Sequence, residues 1–212
     1  MKPLSQEAQR YLEQPPHFRS FERTPIITNL TPESVVNTAA NAFNTLKALQ
    51  ADRVRTPLEK GGIAKKMIAE LEKASHTVAE KAVKMTFEAE KYQTAKSEFL
   101  VNNIDSNFAA NIVNAYKMAE NKGVAERDPV VMNALNKMPL FMSGLTQERL
   151  DSLNDVHIKQ HSPELTRRQD ELSSTGRAIN YADSVIKAAL EVANHVAAPA
   201  NNAAKIQDNG FI

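Results

Sequence analysis

Two histidines, His157 and His161, stand four residues apart, with Asp155 and Glu164 close by in the chain. On a helix that spacing can bring both imidazoles to one metal ion. A zinc site of the HExxH type needs glutamate directly after the first histidine, and Ile158 stands there instead. The pair reads as two surface histidines near a helix C-terminus, where the helix dipole favours their charge. They are the chain's metal candidates, and no metal is expected. A di-iron bundle would need glutamates with a histidine three residues later. Glu72 and His76 are four apart, which is the wrong frame.

Other chemistries lack their parts. The chain has no cysteine, which removes disulfides, thiolate metal sites and a cysteine nucleophile. Gly61-Gly62 lacks the glycine spacing and the Lys-Ser/Thr pair of a phosphate loop, and no strand leads into it. No Gly-x-Ser-x-Gly elbow supports a serine nucleophile. Arg167, Arg168 and Arg177 have Asp170, Glu171 and Asp183 beside them, so local ion pairs are expected rather than a phosphate site. Arg53, Arg55, Lys65 and Lys66 have no aromatic platform for bases. Formal net charge is +1, so no strong nucleic-acid signal follows. The expectation is a protein that is not an enzyme and takes no cofactor.

The elements that would carry these residues are helical. Alanine occurs 29 times, glycine 6 times, and aromatic residues make 6% of the chain, so the composition favours an all-α fold. Thr31-Pro32-Glu33 reads as a helix start, followed by an apolar face of Val36, Ala39, Phe43 and Leu46. Thr56-Pro57-Leu58-Glu59 has capping-box spacing and opens a helix predicted over about 57–102. Along it Leu71, Val78, Met85, Tyr92 and Phe99 recur every seven residues, while Val83 and Phe87 face elsewhere and suggest a second neighbour. Ser162-Pro163-Glu164 opens a second long helix, predicted over about 163–198, with Leu172, Ile179 and Ile186 at the same period and Pro199 as its stop. Between them, Asp105, Asp128 and Thr146 start short helices. The face of the first is read as Phe108, Ile112, Ala115 and Ala119, and Lys122-Gly123 as its stop.

A length of 212 residues fits one large domain or two small ones. The reading is an N-terminal arm over 1–30, one helical domain over 31–198 and a C-terminal tail over 199–212, arranged as an elongated bundle on an antiparallel pair of long helices. The arm holds four prolines but also Phe18, Phe21, Ile26 and Ile27, so it should lie on its own bundle or on a neighbouring subunit. Phe211 and Ile212 give the tail a similar apolar end. No apolar leader follows Met1, which predicts synthesis in the cytoplasm without a signal peptide, and no stretch is long and apolar enough for a membrane span.

These features predict a structural protein that packs through long helices and terminal arms into a homo- or hetero-oligomer, its partners being itself or other subunits. The neutral, Ala/Asn-rich, Cys- and Trp-free composition resembles that common among tailed-phage virion components such as connector, scaffolding or internal ejection proteins, an association of composition without a motif, which would place it in a virus particle. The alternative is a helical effector or adaptor that presents one helix face to one partner. The seven-residue stripes are the expected core or interface, and the arm residues named above the expected arm contacts.

Overall fold

The structure is a computed structural model that describes residues 3–18, 25–101 and 103–209, with the side chains of the last helix described to residue 200. Among these residues every regular element is helical: α1 (Gln6–Glu13), α2 (Glu33–Ala51), α3 (Pro57–Val101), α4 (Ser106–Met118), α5 (Lys122–Ala125), α6 (Pro129–Lys137), α7 (Leu140–Ser143), α8 (Gln147–His161) and α9 (Pro163–Asn209), with a 3-10 turn at Thr28–Leu30. The fold is an all-α bundle, as the composition predicts.

Five starts, those of α1, α3, α4, α6 and α8, are set by short-range hydrogen bonds that the sequence spells out, whereas α2 begins at Glu33 after Pro32 and Thr31 gives it no side-chain cap. Thr56 and Glu59 form the reciprocal capping box: the Thr56 amide donates to Glu59 Oε2 at 2.8 Å and the Glu59 amide to Thr56 Oγ1 at 3.3 Å. Ser5, Asp105, Asp128 and Thr146 each accept a first-turn amide of the helix they precede. Gly144 ends α7 in the left-handed region at φ 76°, which a residue with a Cβ adopts only under strain.

Where the sequence suggests one domain over 31–198 with an arm and a tail, the chain groups into two compact units. The first comprises residues up to Thr86 together with those from Glu171 onward; the second is Phe87–Asp170.

In the first unit, α1, α2, the first part of α3 and most of α9 enclose one core. Phe43, Leu46, Val36 and Ala39 of α2 are fully buried, as their 3–4 spacing requires, beside Leu71 and Ala64 of α3 and Ile186, Val185 and Val192 of α9. α3 and α9 are antiparallel here. A Cβ on Gly61 would fall 2.1 Å from Ala200 Cβ, and one on Gly176 would fall 2.8 Å from Met85 Cε. Met85 lies 24 residues after Gly61 and Gly176 lies 24 before Ala200, so one register holds over about 36 Å. Gly61 sits where the backbone of α9 approaches closely, and Gly176 where the end of the Met85 side chain does.

Pro199 does not end the last helix. α9 continues through it to Asn209. Pro199 is exposed while Ala197 and Ala200 are buried, so the ring faces solvent and the inner face stays packed against the start of α3. Losing one backbone donor costs about 3 kcal/mol in an unsupported helix, and tertiary packing overrides that preference here.

The described part of the N-terminal arm lies on its own unit. Ala8 and Tyr11 are buried, and the Tyr11 and Phe43 rings lie 5.5 Å apart. The Ser5 amide and hydroxyl both donate to Glu191, at 2.6 Å each, and Ser184 donates to Glu7 at 2.5 Å. The Ile27 amide donates to Thr175 Oγ1 at 3.0 Å. Phe18, Ile26 and Ile27 are half-buried. Phe21, Phe211 and Ile212 lie outside the described residues.

The second unit packs α4, α6, α7 and α8 around Ala109, Val113, Tyr116, Met132, Ala134, Leu135, Leu150 and Leu153. Two expectations change. Gly123 does not stop α4, which ends at Met118; it falls inside the single turn α5. The buried face of α4 is Ala109, Val113 and Tyr116, one position on from the expected Phe108, Ile112 and Ala115.

Candidate functional site

The seven-residue stripes are used inside the units. In the first, Leu71, Val78, Leu172, Ile179 and Ile186 are buried, and Met85 is half-buried with its methyl against Gly176. In the second, Tyr92 is buried and its hydroxyl lies 3.3 Å from Gln169 Oε1, while half-buried Phe99 stacks on His157. Val83 in the first unit and Phe87 in the second are each 57% exposed.

Side-chain networks fix the second unit. Tyr116 donates to Glu126 Oε1 at 2.8 Å, and Arg149 donates to Glu126 Oε2 at 2.8 Å. Burial, and then the Glu126 contact, push the Tyr116 phenol up to about 12, so it stays a protonated donor. Asn136 and Asn154 exchange amide hydrogen bonds of 2.7 and 2.8 Å between α6 and α8, and Asn136 also donates to the Met132 carbonyl at 2.9 Å. Asn154 is buried, so this reciprocity satisfies a polar group that would otherwise be costly. Neither network was legible as a unit, because its members are separated by at least one turn of chain and carry no motif.

α4 carries two apolar stripes of equal period, about 100° apart. The inner one is Ala109, Val113 and Tyr116. The outer one holds Phe108, 55% exposed, half-buried Ile112, exposed Ala115 and Met118, 86% exposed. Period alone cannot rank two such stripes. The signal that ranks them is Tyr116, whose polar tip has Glu126 as partner while its ring fills the core. α7 packs on α4 and presents Phe141, 81% exposed.

His157 corrects the sequence reading. It is 3% exposed and not on the surface, whereas His161 is exposed. Leu150, Leu153, Asn154, His157 and Ile158 form the buried face of α8, and this 3–4 spacing was the signal that could have placed it inside. Its ring stacks on Phe99 with centroids 5.3 Å apart and planes at 30°, and lies 4.7 Å from the His161 ring. His157 Nδ1 is buried and has no hydrogen-bond partner. Burial, with the neighbouring His161 second, holds the imidazole below the ordinary histidine range.

As a metal site the pair is poorly equipped. Metal-bound histidine usually donates its second ring N–H to an acceptor, and Nδ1 has none. Asp155 is 3.6 Å from Lys96 Nζ, and Glu164 is bound to Arg167 at 2.6 Å. Among the described residues no three histidine, cysteine or acidic side chains are grouped to hold an ion. Arg168 pairs with Glu88, and Arg177 donates to Ser174 at 3.3 Å. Arg55 is bound to Asp52, whose carboxyl is held low chiefly by the Val54 and Arg55 amides. The clefts of both units are open; the one lined by Ser97, Glu98, Val101, Asn103 and Lys137 gathers no nucleophile beside a base. No described helix is long and apolar enough to cross a membrane. No family model, no curated protein and no solved structure matches this chain.

Proposed function

We propose that this chain is a non-enzymatic assembly protein, a structural subunit that packs against copies of itself or against other subunits of a larger oligomer. The observation that carries the reading is the outer face of α4. Phe108, Ala115 and Met118 stand at one side of a well-capped helix, exposed, while a different stripe of the same helix does the internal packing. Single exposed apolar residues are ordinary; an aligned stripe on a rigid element is a contact surface in waiting. The described arm is spent within its own unit, so contacts between subunits fall to the second unit rather than to arm exchange. The neutral, Ala- and Asn-rich composition without cysteine or tryptophan supports a virion component of the tailed-phage type, with connector, scaffolding or internal ejection roles as the specific form.

The test is mass by size-exclusion chromatography with light scattering over a range of concentrations, for the native chain and for Phe108→Asp and Met118→Asp. A discrete oligomer, or growth with concentration, that falls to lower mass in both variants is the expected result. A native chain that stays monomeric across micromolar concentrations overturns self-assembly. It would leave the adaptor reading, in which the same face serves one partner of another kind.

A further inference from the structure

His157 has the surroundings of an apolar side chain and the chemistry of a base. Its ring lies flat against Phe99 of α3, on the inward face of α8 between Leu153, Asn154 and Ile158. Nδ1 reaches neither protein acceptor nor solvent. A neutral imidazole is tolerated there because it packs as a flat ring and leaves one nitrogen unused. An imidazolium carries a proton on both nitrogens, and the charge must then be hydrated or paired. Burial and then the His161 ring are what act on the imidazole, and both oppose its charge. From α3 it is faced by Phe99, and the charge one turn earlier, Lys96, lies 3.6 Å from Asp155. From α8 it is faced by the His161 ring, 4.7 Å away. At the start of α9, Glu164 is held by Arg167, and Arg168 by Glu88.

We propose that His157 is an acid-sensitive latch that holds the last two turns of α8 against the end of α3, closed while the imidazole is neutral and released when it takes a proton. His161 is exposed and is the last residue of α8. Its ring lies 4.7 Å from that of His157, and a charge there opposes the proton on His157. With a proton on both nitrogens, His157 leaves a buried N–H at Nδ1 without an acceptor until Nδ1 reaches water. The movable part is the end of α8, because the chain leaves helical geometry immediately afterward at Ser162 and helix ends open more cheaply than centres.

The sign follows from linkage. The folded state holds His157 below the ordinary histidine value, so the open state binds more protons in acid. The latch is at full strength above about pH 6.5, and it weakens as pH falls from there to the value of the closed state. The inference is independent of the assembly proposal.

The experiment is a proton NMR titration of the five histidines together with amide hydrogen exchange of the full chain between pH 7.5 and pH 5, corrected for intrinsic exchange. Expected is a His157 signal titrating below the ordinary histidine value of about 6.5, with protection of residues 153–161 falling about tenfold through the same range. Amides of α4 and α6 keep theirs. His157→Phe keeps the ring against Phe99 and removes the proton site, so the acid loss disappears. His161→Ala moves the His157 titration back toward the ordinary range. The proposal is overturned if His157 titrates at the ordinary histidine value of about 6.5 without loss of protection, or if His157→Phe retains the acid loss. Should that variant not fold, the native titration and exchange decide alone.

Discussion

The two units treat apolar surface in opposite ways. In the first, α9 brings Ala178, Ala182, Ala189 and Ala193 to full burial, α3 brings Ala64, and Gly61 meets Ala200, so the backbones approach closely and little large apolar surface is left over. Among the described residues only Val54, Leu58 and Val83 are large, apolar and exposed there. The second unit is the smaller, yet it exposes Phe87, Phe108, Met118, Val124, Val130, Phe141 and Val156. Close approach through small residues closes a core by removing side chains. Short helices around a small core cannot turn every large side chain inward, and what stays outside is available to a partner. The contrast puts the closely packed core in the first unit and most of the exposed large apolar side chains in the second.

The largest effect should come from opening the first core. Phe43→Ala removes a fully buried ring and should cost about 4 kcal/mol in denaturant unfolding; a cost near 1 kcal/mol would mean that this core is loosely packed. Next is Gly61→Ala. The added methyl lands on Ala200 Cβ, a group that cannot swing aside, so the helices must part, at about 3 kcal/mol. Gly176→Ala is the control within the same helix pair. Its obstacle is the flexible end of Met85, and a helix gains up to about 1 kcal/mol from the change, so the net should be close to zero. Equal costs at the two positions would break the close-approach argument.

In the second unit, Asn136→Ala leaves the buried Asn154 amide without its partner and should cost about 2 kcal/mol by thermal unfolding. The smallest effect on folding should be Phe141→Ala, under about 0.5 kcal/mol, because the ring is mostly in solvent. If that variant unfolds as easily as Phe43→Ala, Phe141 belongs to a core and the contrast between the units fails. If it leaves stability intact but lowers the mass of an oligomer, the contrast sharpens.

The side-chain-capped helix starts are readable because each depends on two or three adjacent residues, whereas α2 starts one residue later than Thr31-Pro32 suggests. Thr56 with Glu59, Asp128 with Pro129, and Thr146 all sit where their local chemistry places them. Faces with one apolar stripe, such as that of α2, are readable too. Three features are not. Pro199 carries a local stop signal, and only the distant start of α3 explains why the helix ignores it. α4 has two stripes of the same period, so its inward side depends on where Glu126 sits. Residue type alone makes His157 a polar group near a helix end; its spacing from Leu150, Leu153 and Asn154 is the better guide. In each case the deciding partner lies elsewhere in the chain or on another turn, beyond the reach of local rules.

The crossing of Gly61 and Ala200 has room for a single methyl group, and geometry does not dictate which helix must own it. The two positions thus behave as one site divided between two distant stretches of sequence. A swap, Gly61→Ala together with Ala200→Gly, should recover much of what Gly61→Ala alone loses. Among related sequences, residues 61 and 200 should change together, keeping their combined volume rather than their identities.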